Sequence, residues 1–329
     1  MIQEMNIIQH PNKVSMECTN CHAPMNKFGF VHNKSEKIQR FRCKQCKTTA
    51  TEERTLGDIR VDTKTVIKVV HMLCEGVGIR ACERLCDIHR DTVMNILEFA
   101  GQRCIQTFNN HVINVAVKAI QIDELYAFVF KKERNCESHE VEFGDQYTYL
   151  AIDPESKLIL GYLTGKRDQT TTDNFIRDLG ARVDKEKQFD ITSDGFPCYN
   201  NPIADQFYAN AAYAQLVKNF HLLKIAKQRG EPLPCIERNL IFGQRQNQSI
   251  STSYVERLNL TLRIFNRRFT RKTIGYSKKL GSLKHSVALF VAHYNFCRVH
   301  SSLNKQTPAM AAGLTERPFS IGKLLCIES

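Results

Sequence analysis

Three acidic residues sit where a phosphoryl-transfer site would need them. Asp123 lies inside an otherwise apolar, strand-like run, Ile120-Gln-Ile-Asp-Glu-Leu-Tyr. An ionised carboxylate there is costly unless it is paired or binds a metal. Asp194 follows Ile191-Thr-Ser and precedes Gly195, which allows close backbone approach. Glu256 belongs to Ser253-Tyr-Val-Glu-Arg-Leu-Asn, on an Arg-rich helical segment. Hard carboxylate oxygens with no nearby His or Cys suit Mg2+ or Mn2+. Two such ions about 4 Å apart can activate an attacking oxygen and stabilise a leaving one. Taken singly, each acid is as often structural as functional. Asp153 is a reserve strand-end acid, although Asp153-Pro-Glu-Ser reads as a type I turn. Glu124 points to the opposite strand face from Asp123 and reads as structural. Asp190 reads as a solvated strand start.

A second set of ligands lies near the N-terminus. Cys18-Thr-Asn-Cys21 and Cys43-Lys-Gln-Cys46 are two C-x-x-C knuckles with twenty-one residues between them. Two such turns complete a tetrahedral four-thiolate site, which suits one structural zinc and leaves no open catalytic position. The gap slightly exceeds the usual range for this pattern and fits a hairpin. Phe28, Phe30 and Val31 lie on one arm, Ile38, Arg40 and Phe41 on the other, with a turn near Asn33. Metal binding would supply most of this segment's stability. His22 and His32 read as bystanders.

The elements that must position these groups follow from periodicity. Lys64 to Cys74 places Val66, Ile67, Val70 and Leu73 on one helical face. Gly76 and Gly78 end that helix. A short helix over Ile79 to Cys86, a turn at Asp87-Ile-His89 and a helix from Arg90 to Phe99 have the pattern of a helix-turn-helix, whose second helix offers Arg90, Asp91, Thr92 and Asn95 to DNA. A helical connector that only packs is the alternative, and Glu83, Asp87 and Asp91 count against DNA. Strands are expected at Val117 to Phe130, Gln146 to Ile152, Lys157 to Thr164 and Phe189 to Thr192, with a helix at Thr171 to Val183 before the last of them. This β-β-β-α-β order is a mixed α/β pattern.

Composition bounds the function classes. The chain has 329 residues, 42% apolar, and a net charge of +12. A polyanionic partner, nucleic acid first, is expected. No apolar run approaches the ~20 residues of a membrane span, and no secretory signal precedes residue 10. Thirteen cysteines, an odd number, with no export signal read as reduced thiols. The basic excess is concentrated. Between Arg257 and Thr315 there are eleven Lys or Arg and no Asp or Glu. A solvated basic face is the ordinary reading of such a run, but this one starts directly after Glu256.

Jointly, Ile122-Asp-Glu, Thr192-Ser-Asp-Gly and Tyr254-Val-Glu-Arg-Leu-Asn resemble the motifs of DDE transposases. The segment His293-Tyr-Asn-Phe-Cys-Arg-Val-His-Ser-Ser-Leu, followed by Gln306-Thr-Pro-Ala-Met-Ala-Ala-Gly-Leu, is similar to the last helix and exit of insertion-sequence transposases. The whole order resembles most closely the bacterial and archaeal IS-one group and its zinc-ribbon neighbours. The resemblance implies an α/β RNase H-like mixed sheet flanked by helices (114–315), preceded by a zinc ribbon (12–56) and a helix-turn-helix region (57–113), with a tail at 316–329. It implies that Asp123, Asp194 and Glu256 hold two Mg2+ or Mn2+ ions. It further implies cutting of the element's inverted-repeat ends to free 3′-hydroxyls and joining of those ends to target DNA. DNA contacts are expected from Arg90, Thr92, Asn95, Arg257, Arg263, Arg267, Arg268, Arg271, Lys272, Arg298 and His300. A homodimer or larger assembly on double-stranded DNA, in the prokaryotic cytoplasm, is implied. An inert DNA-binding regulator and a nuclease of the same fold are the alternatives. The sixty-two residues from Asp194 to Glu256 exceed the compact IS-one spacing, so an extra strand and helix or a small insertion is expected between Tyr208 and Ile250. Tyr294 and Arg298 share a helical face; Tyr294 reads as packing and His300 as a helix-end cap if neither reaches the site. His221 is a weaker candidate.

Overall fold

A computed structural model describes residues 16–32, 37–52, 55–218, 228–229, 236–245 and 250–327. The turn near Asn33 and His221 lie outside the described residues. The chain forms two compact units, Met1–Val66 and Ile67–Ser329, whose boundary falls inside helix α1 (Thr63–Cys74).

The first unit is a three-stranded antiparallel sheet of β1 (Met25–His32), β2 (Lys37–Cys43) and β3 (Thr49–Thr51) in the order β1-β2-β3. The expected hairpin arms pair, Val31 with Ile38 and Phe30 with Gln39, with a register irregularity between Lys27 and Phe30. Its core is small: Cys18, Met25, Phe41 and Cys43, flanked by Met16, Cys21, Ala23, Cys46 and Ala50. Phe28 and Phe30 are exposed, and their rings are covered by cations, Arg42 on Phe28 and Lys37 on Phe30.

The second unit begins with helices. α2 (Ile79–Cys86) and α3 (Arg90–His111) are joined by the three residues expected, with Asp87 in the left-handed region that closes α2. Helix α3 does not stop at Phe99. It runs to His111 because Ala100, Cys104 and Phe108 continue its buried stripe. Gly101 permits the close approach of the later helix α7 (Leu280–Ala292), since a Cβ there would meet His285 Cβ at 2.4 Å and its Cα at 2.7 Å.

The second sheet has six strands in the order β6-β5-β4-β7-β8-β9. These are β4 (Ala119–Val129), β5 (Gly144–Ile152), β6 (Ile159–Gly165), β7 (Phe189–Ser193), β8 (Ala211–Lys218) and β9 (Ile236–Phe242). Strand β4 is antiparallel to β5 and parallel to β7, so the sheet is mixed. Helix α4 (Gln169–Arg182) starts on an Asp168 cap and buries Phe175, Ile176 and Leu179, the face expected from periodicity. Helix α5 (Asn200–Phe207) was not expected from the pattern, and β8 and β9 occupy part of the Asp194–Glu256 interval.

Helix α6 (Ser253–Phe265) packs on β4 and β5, and α7 packs along α3. After α7 comes a π turn, His293–Cys297. Its Asn295 is fully buried and makes a two-way bond with the backbone of Ile159, Oδ1 accepting at 3.0 Å and Nδ2 donating at 2.9 Å. The stretch 316–327 packs against the rest of the second unit. Phe319, Ile321, Leu324 and Leu325 are buried, and Phe319 stacks on Phe296. No helix among the described residues is long and apolar enough to cross a membrane.

Candidate functional site

Strands β4 and β7 run parallel and in register only as far as Gln121 opposite Thr192. Beyond that pair β7 ends at Ser193, while β4 continues beside β5. The parallel pairing therefore stops two residues before Asp123, in the middle of β4, and just before Asp194, past the carboxyl end of β7. Chain connections leave this point in opposite directions, the usual place for a ligand in an open α/β sheet. Asp123 and Asp194 flank it.

One carboxylate oxygen from each of Asp123, Glu124 and Asp194 lies within 4.8 Å of the others. Asp123 faces the Leu150 side of the sheet and Glu124 the Tyr149 side, so strand alternation holds. The Glu124 carboxylate nevertheless lies beside those of Asp123 and Asp194. With β7 ended, its carboxylate reaches past the strand edge to the same point.

The field at this point is strongly acidic. Burial, followed by repulsion from Asp194, pushes the Asp123 carboxyl up to about 6. The same two causes push Glu124 up to about 7. Burial also raises Asp194, against the opposing Phe196 N–H and Arg167. Arg167, in the β6–α4 turn, is the ion-pair partner of this cluster. Its Nη2 lies 3.4 Å from Glu124 Oε2 and 3.7 Å from Asp194 Oδ2, while its guanidinium stacks on Phe196 at 4.0 Å.

Helix α6 contributes from the Asp123 side. Gln121 Oε1 accepts the backbone N–H groups of Tyr254 and Val255 and so caps the helix start. One turn on, Asn259 Nδ2 donates to Asp123 Oδ2 at 2.7 Å. Glu256 does not join the three-acid cluster in this structure. Its Oε1 accepts from Lys218 Nζ and from Thr252 Oγ1. Burial would raise the Glu256 carboxyl, but these bonds bring it below its usual value.

Two reserve acids are spoken for. Asp153 is buried and accepts from the Glu155 and Ser156 N–H groups and the Ser156 hydroxyl, which makes it the turn acid its Pro context suggested. Asp190 is no solvated end. It is 1% exposed and lies 3.7 Å from Arg245 Nη2.

The basic residues divide. Arg257, Arg267, Arg271 and Lys272 are exposed, and Arg263 is half-buried. Arg268 points inward. It donates to Ser277 Oγ, its Nη2 is buried without a partner, and burial brings it down to about 10. Arg298 lies past the π turn and covers the Phe265 ring at 3.7 Å, so the helical face expected for Tyr294 and Arg298 does not form. His300 packs edge-on to Tyr294, and burial pushes it down to about 4. Arg90 and Asn95 are exposed and Thr92 is half-buried on the first turns of α3. Arg90 is paired to Asp91 at 2.7 Å. Arg90, Asn95, Arg267, Arg268, Lys278 and Lys279 border one cleft of about 940 Å³.

In the first unit the four expected thiols converge. Sγ separations are 3.4 Å for Cys18–Cys46, 3.4 Å for Cys21–Cys43 and 3.5 Å for Cys21–Cys46. A tetrahedron with metal–sulfur bonds of ~2.3 Å has edges of ~3.8 Å. The two knuckles repeat one backbone shape, with His22 and Lys47, each just after the second Cys, at φ of 55° and 60°. Hydrogen bonding with Thr48 pushes the Cys46 thiol down to about 5, while the neighbouring Cys43 and Cys46 thiols help push Cys21 up. The four cysteines could hold a metal ion, and so could the three acids.

No protein-family model matches the sequence, and no curated protein does. Among solved structures, the chain is similar to piggyBac transposase in a synaptic complex with hairpin DNA. The match covers 82% of this chain and 73% of that one, at 12% identity and a TM-score of 0.36. It is also similar to the Mos1 strand transfer complex, over 69% and 77% at 11% identity and a TM-score of 0.20. For the Mos1 mariner paired end complex with Mn the figures are 70% and 76%, at 9% identity and a TM-score of 0.22.

Proposed function

We propose that this chain is a metal-dependent DNA transposase of the DDE kind, built on an RNase H-like core. The observation that carries this reading is the convergence of Asp123 and Asp194 where the β4–β7 pairing ends, beside the helix that bears Glu256. The donor set is all oxygen, and one of its buried atoms, Glu124 Oε1, has no partner. Both features fit Mg2+ or Mn2+. Bound there, two such ions supply an activated attacking oxygen and charge neutralisation at the leaving oxygen.

The chain's own groups do the rest. Asp123 and Asp194 hold the ions from the sheet, and Asn259 fixes the Asp123 carboxylate. Glu256, bonded to Lys218 in this structure, would be a further ligand from α6. Arg257, Arg263, Arg267, Arg271 and Lys272 grip phosphates beside the site, and Arg90, Thr92 and Asn95 read DNA from α3. Cys18, Cys21, Cys43 and Cys46 hold one structural zinc. A dimer or larger assembly pairs the two element ends.

The test uses labelled element-end duplex, taken from the DNA flanking the gene, with Mg2+ and a target plasmid. Wild type gives end cleavage and strand transfer, and Asp194→Ala gives neither. Binding without cleavage by wild type sinks the reading in favour of a regulator, and cleavage without joining turns it into a nuclease.

A further inference from the structure

Glu124 is the acid that the three-motif pattern leaves out, and it is more deeply buried than Asp194 or Glu256. Its side chain is 3% exposed, against 38% for Asp194 and 43% for Glu256. A carboxylate so buried ordinarily has every lone pair met by a donor. Here Oε2 meets only Arg167, at the long distance of 3.4 Å, and Oε1 makes no hydrogen bond of ordinary geometry. The Tyr199 hydroxyl is near enough to favour the anion, yet no hydrogen bond of ordinary geometry joins them, and that hydroxyl is itself buried and unpaired. A second orphan acceptor, the buried Asn259 Oδ1, belongs to the side chain that holds Asp123.

Charge balance points the same way. Asp123, Glu124 and Asp194 carry three formal negative charges within 4.8 Å, and Arg167 pairs with two of them. The remainder is −2, the charge one divalent cation cancels. Two further cations act on Asp123 without a direct bond to it: Lys218, already bonded to Glu256, and Arg263.

We infer that Glu124 is a direct ligand of a divalent cation held by Asp123, Glu124 and Asp194, and that Arg167 holds this place when the cation is absent. This rests on the proposed function. It adds a fourth acid to the triad and makes Glu256 secondary for the first ion bound. Arg167 is a positioning residue, tied to the cluster through its carboxylates.

The experiment is Mn2+ binding by calorimetry on the full-length zinc-loaded chain, without DNA. Removing only Glu124 also takes away one of the two carboxylates that Arg167 pairs with, so that variant changes more than the ligand set. The informative pair is therefore Arg167→Gln against Glu124→Gln/Arg167→Gln, which differ only in the carboxylate. Loss of an outer-shell partner costs ~10–100-fold in metal affinity, so loss of a direct ligand should cost at least about tenfold. The expected result is that Arg167→Gln binds Mn2+ no more weakly than wild type, the double variant binds at least about tenfold more weakly than Arg167→Gln, and Glu256→Gln stays near wild type. Equal affinity in Arg167→Gln and the double variant, with Asp123→Asn binding lost, overturns the role of Glu124 and leaves the proposed function standing. Unchanged binding in Asp123→Asn overturns both.

Discussion

Gln121 ties the start of helix α6 to the strand that carries Asp123. Its Oε1 accepts from the Tyr254 N–H at 2.8 Å and the Val255 N–H at 3.1 Å. The side chain is 6% exposed, so it acts as a buried helix cap supplied from a residue far away in sequence. Removing an ordinary N-cap costs about 0.5–2 kcal/mol. Gln121→Leu leaves two amides and no acceptor, so a loss of about 1–3 kcal/mol is expected. The variant should also lose strand cleavage more than Mn2+ affinity, because Glu256 and Asn259 move with α6. Thermal melting and cleavage assays check this, and full cleavage by a destabilised variant counts against the positioning role.

Stability should depend on pH through the acid cluster. Asp123 and Glu124 have folded-state values raised to about 6 and about 7, from ordinary values near 4. The unfolded chain therefore gives up these protons first as pH rises, and stability declines from about pH 4 until the folded groups have titrated near pH 7. The metal-free protein should melt at lower temperature at pH 7.5 than at pH 5. Mn2+ should narrow or reverse that difference, since its ligands must be deprotonated. Differential scanning calorimetry at both pH values, with chelator or Mn2+, reads the result.

The N-terminal unit should depend on its metal. Its apolar core is only a few side chains around the four thiols, so a bound ion would supply much of its folding free energy. One zinc per chain is expected by elemental analysis. Cys43→Ser, or a strong chelator, should abolish amide protection over β1–β3 while β4–β8 keep theirs. Hydrogen exchange resolves the two units, and retained protection in the ribbon would count against a structural metal.

Neighbouring arginines should behave oppositely. Arg267 is exposed and Arg268 has a buried, partnerless Nη2. A phosphate contact contributes about 0.9 to the slope of log affinity against log salt. Arg267→Ala should lower that slope by about one. Arg268→Met should leave it unchanged and keep or raise the melting temperature, because an apolar side chain replaces an unpaired buried charge. DNA titrations at several salt concentrations, with parallel melts, separate the two.

Much of this architecture was legible in sequence. The strand around Asp123, the Asp153 turn, the α4 face and both cysteine knuckles follow from periodicity and spacing, which are local. What escaped is long-range. Gln121, Asn259 and Asn295 look like ordinary polar residues until helices from the other end of the chain dock on β4 and β6. Arg167 lies in a turn with no motif of its own. Glu124 was set aside by a sound rule, since alternation fixes the direction of Cβ. It does not fix where a flexible carboxylate ends once the neighbouring strand has stopped. Helix α3 was cut short at Phe99 because the buried stripe of its second half faces α7, which a local window cannot see.

That long α3 acts as a measuring rod. Its 22 residues span about 33 Å at ~1.5 Å per residue, close to the ~34 Å of one duplex turn. Its far half is keyed to α7 where Gly101 meets His285. Its exposed first turn is thus held at a set distance from the packed end, with no loop in between to stretch or shorten. A duplex seated on Arg90 and Asn95 would be presented to the rest of the chain with its phase already chosen.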